Sequence, residues 1–168
     1  MGKILILGGT GPMGIEVCKI LANTENKVFC TSRSYHENST NIKYYQGNAH
    51  DTNFLNGILK DQDWSTIIDF MSYSTDEFKD KASLFIKSTR QYIFISSARV
   101  YAETEGLIKE DTPRLLDVIK DPQYLRTDEY ALAKARCEDI LKNCKGNNWT
   151  IIRPTTTYGP YRLQLGCY

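Results

Sequence analysis

Lys3-Ile4-Leu5-Ile6-Leu7-Gly8-Gly9-Thr10-Gly11-Pro12-Met13-Gly14 is the stretch whose reading decides the fold. Its first five residues form a short apolar run ending at glycines, which predicts a buried strand over Lys3–Leu7. Beyond the glycines, Met13, Val17, Ile20 and Leu21 recur at helical spacing and predict a helix that packs on that strand. A strand, a glycine turn and a helix in this order suit a diphosphate, which needs exposed backbone N–H groups and a helix N-terminus pointing at it. Gly8 allows the tight turn, Gly11 lets the backbone approach the phosphates, and Gly14 lets the helix lie close to the strand. Pro12 suits the first helical turn, where its missing N–H costs nothing, and Thr10 and Met13 belong to the same candidate cofactor contact. A bare glycine string is equally a tight loop under a closely packed helix. The strand before it and the helix after it are what favour a dinucleotide.

Outward from that turn, strands and helices alternate. Strands are predicted at Lys27–Thr31, Ile42–Gln46, Thr66–Met71, Gln91–Ser96 and Trp149–Arg153. Helices are predicted over Asp51–Lys60, from the capping box Ser74/Glu77 to about Ser88, and over Asp128–Cys144. The polar stretch Ala102–Thr127, with Pro113 and Pro122, reads as a loop with one helical turn near Leu115–Ile119. Continuous apolar strands joined by helices predict an α/β fold, a doubly wound parallel sheet of the Rossmann type spanning 1–168 as one domain. Ligands bind such a sheet at the carboxyl ends of its strands. Gly8, Ser32, Met71, Ser97 and Pro154 all fall at or just past those ends.

The end of the second strand discriminates between dinucleotides, since a carboxylate there reads a ribose 2′-OH and an arginine a 2′-phosphate. The strand closes Thr31-Ser32-Arg33-Ser34, with no acid before Glu37. Ser32 and Arg33 therefore point to NADP as the cofactor, with NAD as the alternative. After the third strand, Asn48-Ala49 are candidates for the adenine, or simply a turn.

Tyr130 and Lys134 form the only Tyr-x-x-x-Lys in the chain, and they share one face of a predicted helix. The spacing arises by chance about once in a chain of this composition, so its placement after the fifth strand is what gives it weight. A free tyrosine titrates near 10 and is a poor base. A lysine ammonium one turn away, beside an oxidised nicotinamide, favours the phenolate. Tyr130 is then the candidate proton carrier, Lys134 its helper and a ribose contact, and Ser97 the holder of the reacting oxygen.

These motifs together resemble the extended short-chain dehydrogenase/reductase superfamily, specifically its NAD-dependent epimerase/dehydratase family. Gly8 to Gly14 is similar to the cofactor fingerprint, Ser96-Ser97-Ala98-Arg99-Val100-Tyr101 to the serine segment, and Tyr130 to Lys134 to the catalytic pair. Arg153-Pro154 through Tyr158-Gly159-Pro160 resembles the segment after the sixth strand. The resemblance implies a Ser97/Tyr130/Lys134 triad, Pro154 beside the nicotinamide, and Phe70, Met71 and Ser72 beside the cofactor where relatives have small residues. It implies a nucleotide-sugar epimerase or reductase. Ala98-Arg99 stand where dehydratases place Asp-Glu, which argues against a dehydratase. The resemblance also implies a C-terminal substrate lobe, and the chain ends at Tyr168 with most of that lobe absent, so a truncated protein is expected. A module that senses NADP without chemistry, or an inert cofactor-binding fragment, are the competing readings.

The bulk numbers narrow the partners. Lys plus Arg number 21 and Asp plus Glu 20 in 168 residues, so no polyanionic partner such as nucleic acid is favoured. The five cysteines, Cys18, Cys30, Cys137, Cys144 and Cys167, contain no CxxC and read as reduced thiols of a cytoplasmic protein. His36 and His50 lack ligand-spaced partners, so no metal is expected. No apolar run reaches the length of a membrane span. The expected partner is a small-molecule substrate, with a homodimer through the Asp128–Cys144 helix as a further expectation.

Overall fold

The computed structural model describes residues 1–158. The Gly159-Pro160 part of the last motif, and Cys167, lie outside the described residues. Six strands, β1 (Lys3–Leu7), β2 (Lys27–Ser32), β3 (Ile42–Gln46), β4 (Trp64–Asp69), β5 (Thr89–Ile95) and β6 (Trp149–Ile152), form one sheet. Their order is β3-β2-β1-β4-β5-β6, and every pairing is parallel. The order reverses between β1 and β4, which opens a crevice at the carboxyl ends of those two strands.

Six helices connect them: α1 (Pro12–Ala22), α2 (Thr52–Asp61), α3 (Thr75–Lys87), the single turns α4 (Leu115–Val118) and α5 (Pro122–Leu125), and α6 (Tyr130–Lys142). Side chains of β1 alternate between the two faces. Leu5 and Leu7 join a large core with Trp64, Phe78, Phe85, Tyr92, Phe94 and Leu141, roofed by α2, α3 and α6. Ile4 and Ile6 join a smaller one with Val28, Cys30 and Cys18, roofed by α1. The face α1 presents is narrower than its pattern predicts. Only Gly14 and Cys18 are buried, and Ile20, expected inward, is 65% exposed. Gly14 brings the helix close to the glycine turn, and Val17 and Leu21 pack on the smaller core beside Cys18, only partly buried.

Ser74 caps α3 by accepting from the Glu77 N–H at 3.3 Å. The Glu77 carboxylate does not close the predicted box; it binds His50 Nδ1 at 2.7 Å and Lys81 Nζ at 2.6 Å instead. The predicted loop holds two helical turns rather than one, and Arg114 anchors it. Its guanidinium donates to Asp117, Asp139 and the Ala135 carbonyl, so the segment is tied to α6 by ionic contacts that apolar periodicity does not reveal.

Candidate active site

Gly8 carries φ +72°, in the left-handed region that glycine adopts without strain, and turns the chain at the end of β1. A Cβ on Gly14 would lie 2.7 Å from both the Gly8 carbonyl oxygen and Gly9 Cα, so only glycine lets α1 approach this turn. Gly11 is the N-cap of α1 and makes no side-chain cap, with Pro12 next. The first amides of an eleven-residue helix thus carry no side-chain acceptor and face the crevice edge. This cradle fits a dinucleotide diphosphate. The Thr31 hydroxyl pins the turn to β2 by accepting from the Gly8 N–H at 3.1 Å.

At the end of β2, Thr31 and Ser32 are buried, whereas Arg33 is exposed. Ser32 Oγ accepts from the Ser34 N–H at 3.2 Å. Ser32, one of the two residues expected at a 2′-phosphate, is thus buried with its oxygen on a backbone amide. Asn48 forms a turn that leads into α2: its side chain accepts from the His50 N–H and its carbonyl from the Asp51 N–H. Ala49 is buried in the large core.

The end of β4 lies against the glycine turn. The Phe70 N–H donates to the Leu7 carbonyl at 3.1 Å, and Met71 Sδ is the nearest atom to where a Gly8 Cβ would be, at 3.3 Å. Phe70 and Met71 are half-buried and Ser72 is exposed. Beyond β5, Ser97 starts a short 3-10 turn, its Oγ accepting from the Arg99 N–H at 3.2 Å. The Ala98 N–H donates to the Pro154 carbonyl at 2.9 Å, which joins the serine segment to the end of β6.

Helix α6 starts at Tyr130, capped by Glu129. Tyr130 is 39% exposed, and the Arg99 guanidinium lies 5.4 Å from its ring centroid. Arg99 thereby links Tyr130 to Ser97 through its side chain and its N–H. Lys134, one turn on, is buried. Its Nζ donates to the Met71 carbonyl at 2.9 Å and the Ile95 carbonyl at 2.8 Å, and lies 4.5 Å from the Phe94 ring centroid. Burial lowers the Lys134 amine from its ordinary value, while Asp69, Cys137 and Glu138 act to raise it. The structure thus brings Ser97, Tyr130, Lys134, Met71 and Pro154 to one edge of the sheet, with the glycine turn beside Met71. Asn48, Ala49 and Arg33 lie on the β2–β3 side.

Two further buried groups escape a reading by motif. Asp69 ends β4 with its carboxylate wholly enclosed. Glu138, one turn after Lys134, accepts from Ser96 Oγ at 2.7 Å and from Arg153 Nε at 2.8 Å. Burial alone would raise the Glu138 carboxyl, but Arg153, Ser96 and Arg114 together hold it below its ordinary value. Arg153 in turn stacks over Tyr101, 4.7 Å from the ring centroid. For Glu138, the signal available was the four-residue step that continues Tyr130-x-x-x-Lys134 along one helix face.

The pattern described as the NAD dependent epimerase/dehydratase family matches residues 4–165. The chain is similar to the chloroplast stem-loop binding protein of 41 kDa b of Arabidopsis thaliana, at 27% identity over 173 residues, covering 94% of this chain and 43% of that protein. It is also similar to UDP-glucose 4-epimerase of Lactobacillus helveticus, at 27% identity over 151 residues, covering 83% of this chain and 46% of that protein. The chain therefore spans about half the length of these relatives. Its fold matches the Bordetella bronchiseptica enzyme WbmH in complex with NAD+, with a TM-score of 0.75 at 16% identity, over 98% of this chain and 59% of that one. Other solved structures of the same fold likewise hold NAD. These complexes overturn the expectation of NADP. At the end of β2 the expected phosphate contacts are divided: Ser32 is buried with its Oγ accepting from the Ser34 N–H, and Arg33 alone of the pair reaches the surface.

Proposed function

The chain belongs to the NAD-dependent epimerase/dehydratase family, and we propose that it is the cofactor-binding, proton-transferring part of an NAD-dependent enzyme acting on a nucleotide sugar, an epimerase or a reductase. The observation that carries this reading is the convergence of Ser97, Tyr130 and buried Lys134 on the sheet edge that also bears the uncapped glycine turn. The turn from Gly8 to Gly14, with Thr10, Pro12 and Met13, would hold the diphosphate; Phe70, Met71, Ser72 and Pro154 would border the nicotinamide end. NAD, when bound, supplies the acceptor and donor of hydride. Tyr130 Oη takes the proton from the substrate hydroxyl and returns it in the reverse step. Ser97 Oγ hydrogen-bonds the same oxygen and fixes its direction. The Lys134 ammonium, held by the Met71 and Ile95 carbonyls one helical turn from Tyr130, would lend positive charge to the phenol and bind the cofactor ribose.

Arg99 occupies the position of the dehydratase glutamate, and its contact with the Tyr130 ring places a cation where elimination of water would need an acid. Epimerisation returns the hydride to the carbon it left, on the opposite face, and the proton to that carbon's oxygen, so it needs no such acid. The names of the relatives from Lactobacillus helveticus and Arabidopsis thaliana speak for a sugar nucleotide and for a stem-loop respectively. The balance of 21 basic and 20 acidic residues lacks the electrostatic footprint of a nucleic-acid partner, so the sugar reading is preferred.

The test is turnover of UDP-hexoses with NAD, followed by proton NMR of the sugar and by absorbance of reduced cofactor. Wild type interconverts epimers without accumulating reduced cofactor if an epimerase, and consumes it against a keto-sugar if a reductase. Tyr130→Phe, a change at a half-exposed side chain, lowers kcat by about 10²–10⁴-fold. Unchanged turnover in Tyr130→Phe would overturn the assignment.

A further inference from the structure

Asp69 is a carboxylate in the protein interior, at the carboxyl end of β4, on the face of the large core. Its neighbours across the sheet are Leu7 on β1 and Phe94 on β5. It accepts three hydrogen bonds: from the Tyr92 hydroxyl at 2.6 Å, the Tyr73 hydroxyl at 2.9 Å and the Met71 N–H at 2.8 Å. Burial pushes both phenols well above their ordinary value, so they remain neutral donors. Three donors converging on two oxygens match the needs of an ionised carboxylate rather than an acid, whose own proton would compete for the same space.

The Lys134 ammonium lies in the same region. Met71 connects the two groups: its N–H is held by Asp69 Oδ1, and its carbonyl accepts from Lys134 Nζ. The face of Phe94, the cross-strand neighbour of Asp69, is the ammonium's third contact. Among the described residues, none of the direct partners of Lys134 carries a negative charge. Glu138 on the same helix is already satisfied by Arg153, Arg114 and Ser96. Cys137, beside it, is a thiol whose burial pushes it up to about 12. From the outer side, Tyr73 meets Lys81 and His50, both engaged by Glu77.

We propose that Asp69 is the positioning residue of Lys134. Through Met71 it fixes the carbonyl on which the ammonium rests, and its charge compensates that ammonium inside the protein. The inference builds on the reading of Lys134 as part of the active site. Burial drives the Asp69 carboxyl up and the Lys134 amine down, and the attraction between the two opposes both shifts. Removing the carboxylate charge therefore lets the Lys134 amine fall further. Asp69 thus sets the upper pH limit for a lysine that binds a cofactor ribose as an ammonium.

The test follows the Lys134 Nζ and Cε resonances by NMR as the pH is raised, in wild type and Asp69→Asn, with NAD affinity measured by calorimetry over the same range. Asp69→Asn is expected to lower the Lys134 midpoint by about 1–3 pH units. Above that midpoint its NAD affinity should fall by about tenfold per pH unit, while wild type stays flat. An Asp69→Asn midpoint equal to that of wild type would overturn the proposal, since a purely structural carboxylate leaves the lysine titration in place. If circular dichroism shows that Asp69→Asn does not fold, the Asp69 Cγ resonance of wild type decides. A carboxyl already ionised below the Lys134 midpoint supports the proposal, and one still protonated when Lys134 loses its proton overturns it. A wild type that binds no NAD would refute the cofactor reading, and the apo titration of Lys134 would still decide the role of Asp69.

Discussion

A methyl group on Gly14 meets backbone on two sides, at the Gly8 carbonyl and at Gly9, and neither can swing away as a side chain could. Gly14→Ala is therefore expected to lose about 1–3 kcal/mol in urea denaturation. It should also weaken NAD binding, because the turn must open to admit the new atom. A variant with wild-type stability and affinity would show that α1 does not need its close approach. At this scale Gly8 and Gly14 were legible in the sequence, because a turn conformation and a contact distance each demand one residue type. Asp69 was not. Within Thr66–Met71 it reads as one polar residue near a strand end, and its meaning comes from Tyr73, Tyr92 and Lys134, which only the fold brings together. Ser32 and Arg33 were legible as a motif, but solved structures of the same fold hold NAD, and Ser32 is buried against the Ser34 amide.

Among the elements, α6 carries the largest share of the site. Its core-facing side holds Leu132, Cys137 and Leu141, and the same helix presents Tyr130, Lys134 and Glu138 at four-residue steps. Glu138 couples this helix to the ends of β5 and β6 through Ser96 and Arg153. Removing its charge leaves Arg153 without its carboxylate partner, so Glu138→Gln is expected to cost about 3 kcal/mol at neutral pH. The sign of its pH dependence follows from its lowered folded value. The contribution is fully present above the ordinary value of 4.5 and is lost as the pH falls through the lowered one. Stability curves of wild type and Glu138→Gln should therefore converge below pH 4.5; a constant gap would contradict the carboxylate's role. The strands and long helices were readable from periodicity, with ends shifted by two residues at β4 and β5. The 102–127 segment was not, because Arg114 organises it by ion pairs to α6 instead of by an apolar stripe.

For the whole molecule, the strand order decides where chemistry can occur. The chain leaves the paired strands β1 and β4 in opposite directions at the switch point, and the glycine turn, Met71, the serine segment and the head of α6 all lie along that edge. The parallel doubly wound sheet was predictable because each strand is a continuous apolar run separated by helical patterns. Which dinucleotide it takes was not, because the choice depends on side-chain directions at the end of β2. If this edge is an NAD site, calorimetric titration of the chain with NAD and with NADP gives a saturable one-to-one complex with NAD and a weaker one with NADP. Failure to bind NAD, or tighter binding of NADP, would contradict that assignment.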